Sequence, residues 1–256
     1  MTENISKLLE DWYARPSGQL AFQKINEVAG KSLEHIFGYY LIQLGLARNM
    51  PLYHQSTIPT RVLLSNRSGE LIKLIASFEE LPIDSDSTDA VIGHHFLEFS
   101  KQPHKTLREI HRVLTPQGHL ILIGFNPYSL FGLGQLGLKL SGVRLWKSWS
   151  PISGARLKDW LHLLGFEIVS YDTICHIPEF SSGKIRNLLI KLDNIARESK
   201  LPAGGLFVIH AIKSVAGASA IVRKKARHKT LPGIRAPAPS VGAIVPSETY
   251  CPRKLN

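Results

Sequence analysis

The chain has few cysteines and no long apolar run, and each shortage excludes a class of protein. Cys175 and Cys251 are the two cysteines among 256 residues. They are too few and too far apart for a disulfide framework or a cysteine metal cluster. No apolar run approaches the roughly 18 residues that a membrane-spanning helix needs. The N-terminus lacks the basic-then-apolar pattern of a signal peptide. The sequence therefore predicts a cytoplasmic protein without a transmembrane segment.

Acidic residues are scarce at one end of the chain, and this explains the formal net charge of +11. Residues 217–256 hold eight Lys or Arg, one acid and five prolines. Such a segment buries too little apolar surface to fold, so we predict a basic disordered tail. Weak contact with nucleic acid or an anionic membrane is expected through this tail only. RNA binding has no further support, because interleaved aromatics and known RNA motifs are missing.

The remaining chain has globular composition, with 44% hydrophobic residues, and its periodicity predicts an α/β fold. Apolar spacing of three and four predicts an N-terminal helical segment over residues 1–35. Residues 36–216 alternate strands with helices. In this range "DAVIGHH", "HKTLREIHRVL" and "HLILIGF" form a strand–helix–strand unit, which favours a parallel sheet covered by helices. The other predicted strands are "LIQLG", "TRVLL", "ELIKLIAS", "EIVSYDTI" and "GGLFVIHAIKS".

An apolar, Gly-rich and basic insertion, residues 126–151, follows the "HLILIGF" strand. It is consistent with a substrate lid, which would imply a hydrophobic or aromatic acceptor. It is equally consistent with a helix pair that covers the sheet. A third interpretation places its Leu, Phe and Trp side chains on a lipid surface, with its basic residues near the headgroups.

The order of three segments resembles the small-molecule branch of the class I S-adenosylmethionine-dependent methyltransferases. The segments are "FEELPIDSDSTDAVIGHHFLEF", "KTLREIHRVLTPQGHLIL" and "RLKDWLHLLGFEIV". "GFNPYSLFGL" is similar to an uncharacterised proteobacterial subgroup of such proteins. The resemblance implies a doubly wound, mostly parallel seven-stranded sheet. In that sheet "LIQLG" is central and "FVIHAI" is antiparallel near one edge. Gln117 stands where the family usually has glycine.

The resemblance places "LIQLGLARNM" at the first strand and the cofactor loop. That loop is depleted: it has one glycine, Gly45, and an amide, Gln43, where the family has an acid. Asn66 and Ser77 replace two further acids, expected near the ribose and the adenine. The implied cofactor is S-adenosylmethionine, and the predicted cofactor-binding residues are Gln43, Gly45, Asn66, Ser77, Phe78 and His94. Alternatives remain for several of them: a plain turn glycine, a turn asparagine, a packing phenylalanine and a structural histidine.

The predicted substrate-binding residues are His95, Phe125 and Asn126, at the ends of the fourth and fifth strands. In a doubly wound sheet these ends line the ligand crevice. Either His94 or His95 could orient substrate or accept a proton. Glu98 could act as a base, although we interpret it as a solvated acid at a helix entry. No metal is predicted, because the nearby histidines do not have ligand spacing.

Two functions from different classes are consistent with these residues. The first is methyl transfer from S-adenosylmethionine to a small, apolar-bodied acceptor. This reaction needs little acid–base machinery, because positioning the nucleophile is the main task. The second is a catalytically inactive methyltransferase-like module that binds or regulates. Thermal stabilisation by the cofactor would favour the first.

Overall fold

The computed structural model describes residues 2–47, 49–140, 142, 149–174 and 204–214. The predicted basic tail lies outside these residues, as does the segment 184–199, whose sequence "KIRNLLIKLDNIARES" predicts a further helix. The helices are α1 (Thr2–Tyr13), α2 (Pro16–Leu33), α3 (Pro103–Val113), α4 (Leu130–Leu140) and α5 (Gly154–Leu163). The strands are β1 (Tyr40–Gly45), β2 (Thr60–Ser65), β3 (Leu74–Ile75), β4 (Thr88–His94), β5 (Leu114–Phe125), β6 (Phe166–Ile174) and β7 (Leu206–Lys213).

The strands form one seven-stranded sheet in the order β3-β2-β1-β4-β5-β7-β6. Strands β1 to β5 pair in parallel, and β7 runs antiparallel between β5 and β6. The predicted fold class is therefore confirmed, including the central "LIQLG" strand and the antiparallel strand near one edge. Strand β1 is buried from Leu41 to Gly45, which is why its sequence is a continuous apolar run. The third strand is shorter than predicted, with two residues.

Helix α3 begins and ends where its sequence dictates. Pro103 occupies the first turn, where a missing N–H costs no hydrogen bond. Its buried residues recur at the three- and four-residue spacing that packs a helix on a sheet. At its C-terminus Lys213 from β7 donates to the carbonyls of His111 and Leu114, at 2.8 and 2.6 Å. Strand β5 follows at once, so the helix ends three residues before Pro116.

Gln117 adopts a left-handed backbone conformation, with φ of +64°, at the position where the resemblance expects glycine. A left-handed residue with a Cβ costs about 1–2 kcal/mol. Gln117→Gly should relieve this strain, although added freedom in the unfolded chain cancels part of the gain. We expect unfolding free energy to rise by less than about 1 kcal/mol, measured by chemical denaturation. Gly118→Ala is the matched control: its Cβ would lie 2.8 Å from the Thr115 carbonyl oxygen, so it should destabilise. A lower unfolding free energy in Gln117→Gly than in the wild type would contradict the inference that Gln117 is strained.

Helix α1 lies at the carboxyl ends of the strands, whereas the C-terminal part of α2 packs on the connection that leads into β2. Ser6 of α1 donates to the carbonyl of Leu46, just after β1, at 2.7 Å. Trp12 packs edge-on against Phe125 at the end of β5, with ring centroids 5.4 Å apart. On α2, Gly30 leaves room for the side chain of Gln55, which a Cβ would overlap. Helix α1 therefore covers the edge where doubly wound folds bind ligands.

In the described part of the chain, no helix combines the length and apolar character needed to cross a bilayer.

Candidate functional site

The crevice at the strand ends is built from neighbouring strands β2, β1 and β4. Gly45 and His94 are partners in the β1–β4 register. Ser65 ends β2 and donates through Oγ to the Gly45 carbonyl at 3.0 Å. The structure thus brings Gly45, His94 and the residue after Ser65, Asn66, to one edge. Three of the predicted cofactor residues are neighbours there.

Asn66 carries a buried acceptor that nothing in the described protein satisfies. Its Oδ1 has no hydrogen-bond partner, and a buried unpaired polar atom costs free energy. The end of β2 is where doubly wound folds bind a ribose hydroxyl, and a hydroxyl is the donor that this oxygen lacks. The residues present therefore fit the nucleoside part of S-adenosylmethionine.

Gly45 is not required by packing within the protein. A Cβ built there would lie 3.4 Å from the His94 carbonyl oxygen and 3.5 Å from the His94 Cβ, which are ordinary contacts. The absence of a side chain therefore leaves space beside His94, as close approach of a ligand would need.

Gln43 has a different environment from the one predicted. Its side chain is fully buried. Its Nε2 donates to the Met50 carbonyl at 2.8 Å, and its Oε1 accepts from the Leu52 N–H at 2.7 Å. Both ends of the amide therefore hold the segment after β1, a connection without helix or strand in its described residues. In the described structure Gln43 therefore holds the segment that the resemblance assigns to the cofactor, and its own part in cofactor binding stays a prediction.

Gln43→Glu should therefore destabilise the protein. A carboxylate cannot donate to the Met50 carbonyl, and a buried charge or an unpaired carbonyl costs at least about 1–3 kcal/mol. Burial raises the pKa of the new carboxyl, and its protonated form can donate again. The deficit should therefore shrink as pH falls from 7 towards 5, measured by denaturant unfolding at both values. The same loss at both pH values, or none, would contradict this role.

Ser77 follows the end of β3, because the N–H of the preceding residue, Ala76, donates to the Ser65 carbonyl at 3.0 Å. The Ser77 side chain is exposed and donates to Glu79 at 2.7 Å. Phe78 is buried and packs on Phe96, with ring centroids 5.5 Å apart. Of the two interpretations of Phe78, a cofactor contact and a packing residue, its contact in the structure agrees with the second.

Hydrogen bonds between side chains connect the end of β4 to helix α1. Tyr13 Oη lies 3.0 Å from His94 Nε2 and 2.6 Å from His95 Nε2. His95 Nδ1 lies 2.8 Å from Glu98 Oε1, and the other ring nitrogen of His94, Nδ1, has no partner in the described protein. Burial, and then the neighbouring His95, hold the pKa of His94 well below its usual range. His94 is therefore neutral at physiological pH.

His95 is held in a strained conformation, with φ of +48°. Its ring stacks on Phe125, with centroids 4.0 Å apart. Strain of this kind persists where the surroundings fix it, commonly at functional sites. Phe125 is thus packed between His95 and Trp12 and is not open to solvent.

Asn126 ties the end of β5 to the start of β7. Its Nδ2 donates to the Gly204 carbonyl at 2.9 Å, and its Oδ1 accepts from the Tyr128 N–H at 3.1 Å. In this structure its amide fixes the start of the insertion. The insertion includes α4, whose Leu133, Leu136 and Leu140 are exposed.

Two residues of the site were missed or misjudged by the sequence reasoning. Tyr13 lies 81 residues from His94, and no local pattern predicts that pairing. Glu98 was interpreted as a solvated acid, which is wrong, because it is 4% exposed. Its Oε1 lies 2.8 Å from His95 Nδ1 and accepts from the Phe125 N–H at 3.2 Å. Among the residues that the structure describes, no group of three His, Cys, Asp or Glu is placed to hold a metal ion.

Comparison with known proteins agrees with this geometry. Residues 53–122 match the family model described as a methyltransferase domain. An uncharacterized Escherichia coli protein, YafS, is 28% identical over 182 residues, which is 69% of this chain and 73% of that protein.

Solved structures share the fold at low identity. A Thermotoga maritima S-adenosylmethionine-dependent methyltransferase is 17% identical, with a TM-score of 0.59 over 83% of this chain and 97% of that one. An Archaeoglobus fulgidus S-adenosylmethionine-dependent methyltransferase is 16% identical, with a TM-score of 0.56 over 80% and 98%. The cyclase SpnF is 17% identical, with a TM-score of 0.53 over 79% and 84%. The matched methyltransferase domain and the shared sheet order support methyl transfer with S-adenosylmethionine as the cofactor.

Proposed function

We propose that this methyltransferase acts on a small acceptor with an apolar body. The supporting observation is the enclosure of the strand ends by aromatic side chains. Trp12 and Tyr13 are 4% and 3% exposed, and Phe125 is 1% exposed. A binding site bordered by such side chains favours a small apolar molecule over a folded macromolecule.

The insertion supports an apolar acceptor, because its helix α4 exposes leucine side chains and both of its ends are hydrogen-bonded to Glu98. It leaves at Phe125, whose N–H donates to the Glu98 carboxylate. It returns at Ser150, whose N–H donates to the Glu98 carbonyl at 2.7 Å. Between them α4 exposes three leucines. We propose the lid interpretation of this segment, with its leucine side chains turned to the acceptor when the site is loaded.

For the cofactor, we propose Gly45 and Asn66 as the nucleoside-binding residues, with His94 beside them. When bound, S-adenosylmethionine supplies a methyl group already activated by its sulfonium. Gly45 lets it approach the backbone, and Asn66 accepts from a ribose hydroxyl. Ser77 remains a proposed adenine neighbour from its position after β3, with Phe78 packed behind it.

The alternative is an inactive module, and two observations favour it: α1 covers the crevice, and the acids near the cofactor are replaced. The cyclase SpnF carries this fold, so the fold alone does not fix the reaction. Transfer of a labelled methyl group separates the two functions.

The experiment offers the protein labelled S-adenosylmethionine with small aromatic and aliphatic acceptors, total RNA and a protein extract as separate substrates. We expect label in small apolar acceptors. Label in RNA or protein alone would overturn the proposed acceptor class. Cofactor binding without transfer to any acceptor would favour the inactive module.

Asn66→Asp should tighten cofactor binding. A hydrogen bond to a charged acceptor contributes about 1.5–3 kcal/mol, against about 0.5–1.5 kcal/mol for a neutral one. The expected gain is roughly tenfold in Kd, measured by calorimetric titration of S-adenosylhomocysteine. Gln102→Glu is the matched control, because it adds the same charge at an exposed position. Equal affinity in Asn66→Asp and wild type would remove Asn66 from the ribose site.

A further inference from the structure

We propose that Tyr13, His95 and Glu98 form a proton relay that ends at His94 Nδ1 and takes the proton of the methyl acceptor. The acceptor is then a molecule whose nucleophilic atom carries a proton, such as a phenol, an alcohol or a protonated amine. The inference rests on the proposed function, since it specifies the acceptor of the same site. His94 would be the catalytic residue, and the other three are positioning residues.

The direction of every proton in the relay follows from its fixed end. Glu98 Oε1 already accepts the Phe125 N–H, so it acts as an acceptor towards His95 Nδ1 as well. His95 therefore carries its proton on Nδ1 and presents a lone pair at Nε2. That lone pair accepts the Tyr13 hydroxyl proton across 2.6 Å.

The same logic reaches His94. Tyr13 has one hydroxyl proton, which is given to His95, so its oxygen accepts from His94 Nε2–H across 3.0 Å. A neutral His94 then has its lone pair on Nδ1. This is the ring nitrogen that has no partner in the described protein, and it lies on the residue paired with Gly45. The relay thus leaves one unfilled acceptor, beside the proposed cofactor position.

The relay moves positive charge away from His94. His94 is fully buried, and its low pKa makes it a poor resting place for a proton. A proton accepted at Nδ1 releases the Nε2 proton to Tyr13, which releases its own proton to His95. The positive charge then lies on His95, whose Nδ1 is 2.8 Å from Glu98 Oε1.

The transfer step balances. The acceptor X–H bond breaks, and its proton binds His94 Nδ1. The electron pair of that bond forms the X–CH3 bond, while the methyl–sulfur bond breaks and leaves its pair on sulfur. One positive charge is lost at sulfur and one is gained at His95, so no oxidant or further reactant is needed. The proton returns to solvent after the products leave.

The first test measures the protons directly and needs no activity. Nitrogen-15 NMR of the ligand-free protein reports which ring nitrogen of each histidine carries a proton. We expect Nε2–H for His94 and Nδ1–H for His95. In Tyr13→Phe the His94 preference should be lost, since its hydrogen-bond partner is gone. A His94 that carries its proton on Nδ1 in the wild type would overturn the relay, whatever the protein transfers.

The second test uses kinetics with two variants that keep side-chain shape. Tyr13→Phe and Glu98→Gln should each lower kcat about 100-fold or more, the usual contribution of proton transfer, with S-adenosylhomocysteine affinity within about threefold. The pH profile of kcat should shift in both. Tyr40→Phe, an exposed tyrosine, is the control. Unchanged kcat and pH profile in Tyr13→Phe would reduce the cluster to a structural network.

The acceptor separates failure of the relay from failure of the proposed function. If small apolar acceptors without an ionisable proton, such as thioethers, are methylated as fast as phenols, the proposed function stands and the relay is refuted. If no small acceptor is methylated, the proposed function fails, and the NMR result alone decides whether the proton order exists.

Discussion

Gly45→Val is expected to abolish S-adenosylmethionine binding, with Kd raised more than about 100-fold, while the fold survives. The Cβ at this position meets His94 atoms at 3.4 and 3.5 Å, so the protein alone tolerates a side chain. We expect the two methyl groups that valine adds beyond its Cβ to enter the space that we assign to the ligand. A ligand that cannot approach the backbone loses its contacts there, and each 1.4 kcal/mol lost is tenfold in affinity.

The measurement is calorimetric titration of both variants at the same protein concentration, with circular dichroism to confirm folding. Gly45→Ala should give an intermediate loss, since it adds one carbon. Gly137→Val is the control, because a Cβ at Gly137 meets nothing within 4 Å. Undiminished binding by a folded Gly45→Val protein would place the cofactor elsewhere.

Trp12→Ala is expected to cost about 3–5 kcal/mol of unfolding free energy, the usual loss for a large buried aromatic. Trp12 packs edge-on against both Tyr13 and Phe125, at 4.7 and 5.4 Å. Its removal takes away the contact that joins α1 to the end of β5. This is a large part of the stability of a typical domain, about 5–15 kcal/mol.

Urea unfolding compares Trp12→Ala with Phe37→Ala, whose side chain is 77% exposed and should change stability by less than about 0.5 kcal/mol. If the two variants lose the same stability, α1 does not pack on the strand ends as described.

The sheet could be predicted because its signals are local. Strand β1 is a continuous apolar run, and Pro103 and Gly165 mark helix ends where the structure has them. The order of the strands along the sheet is not local, and it came from the family resemblance. Strand β3 was overestimated because the apolar residues of "ELIKLIAS" remain partly exposed at the sheet edge.

The candidate site was harder to predict, because its contacts are between distant residues. Gln43 was compared with an acid of the family, yet its amide is matched to one donor and one acceptor after β1. Glu98 lies in a sequence that suggests a helix entry, and its burial depends on chain segments far away, among them Ser150. Gly45 and Asn66 could be placed on the same side of the sheet from the sequence, because the parallel strands β1 and β2 end there.

The most direct test of the account is calorimetric titration of S-adenosylmethionine and S-adenosylhomocysteine into the wild-type protein. We predict saturable binding of one ligand per chain, weaker than in family members that keep the acids. Binding at this site should raise the free energy of unfolding by about 2.7 kcal/mol when the free ligand concentration is 100 times Kd. The absence of both binding heat and stabilisation at millimolar ligand would contradict a working cofactor site at Gly45 and Asn66.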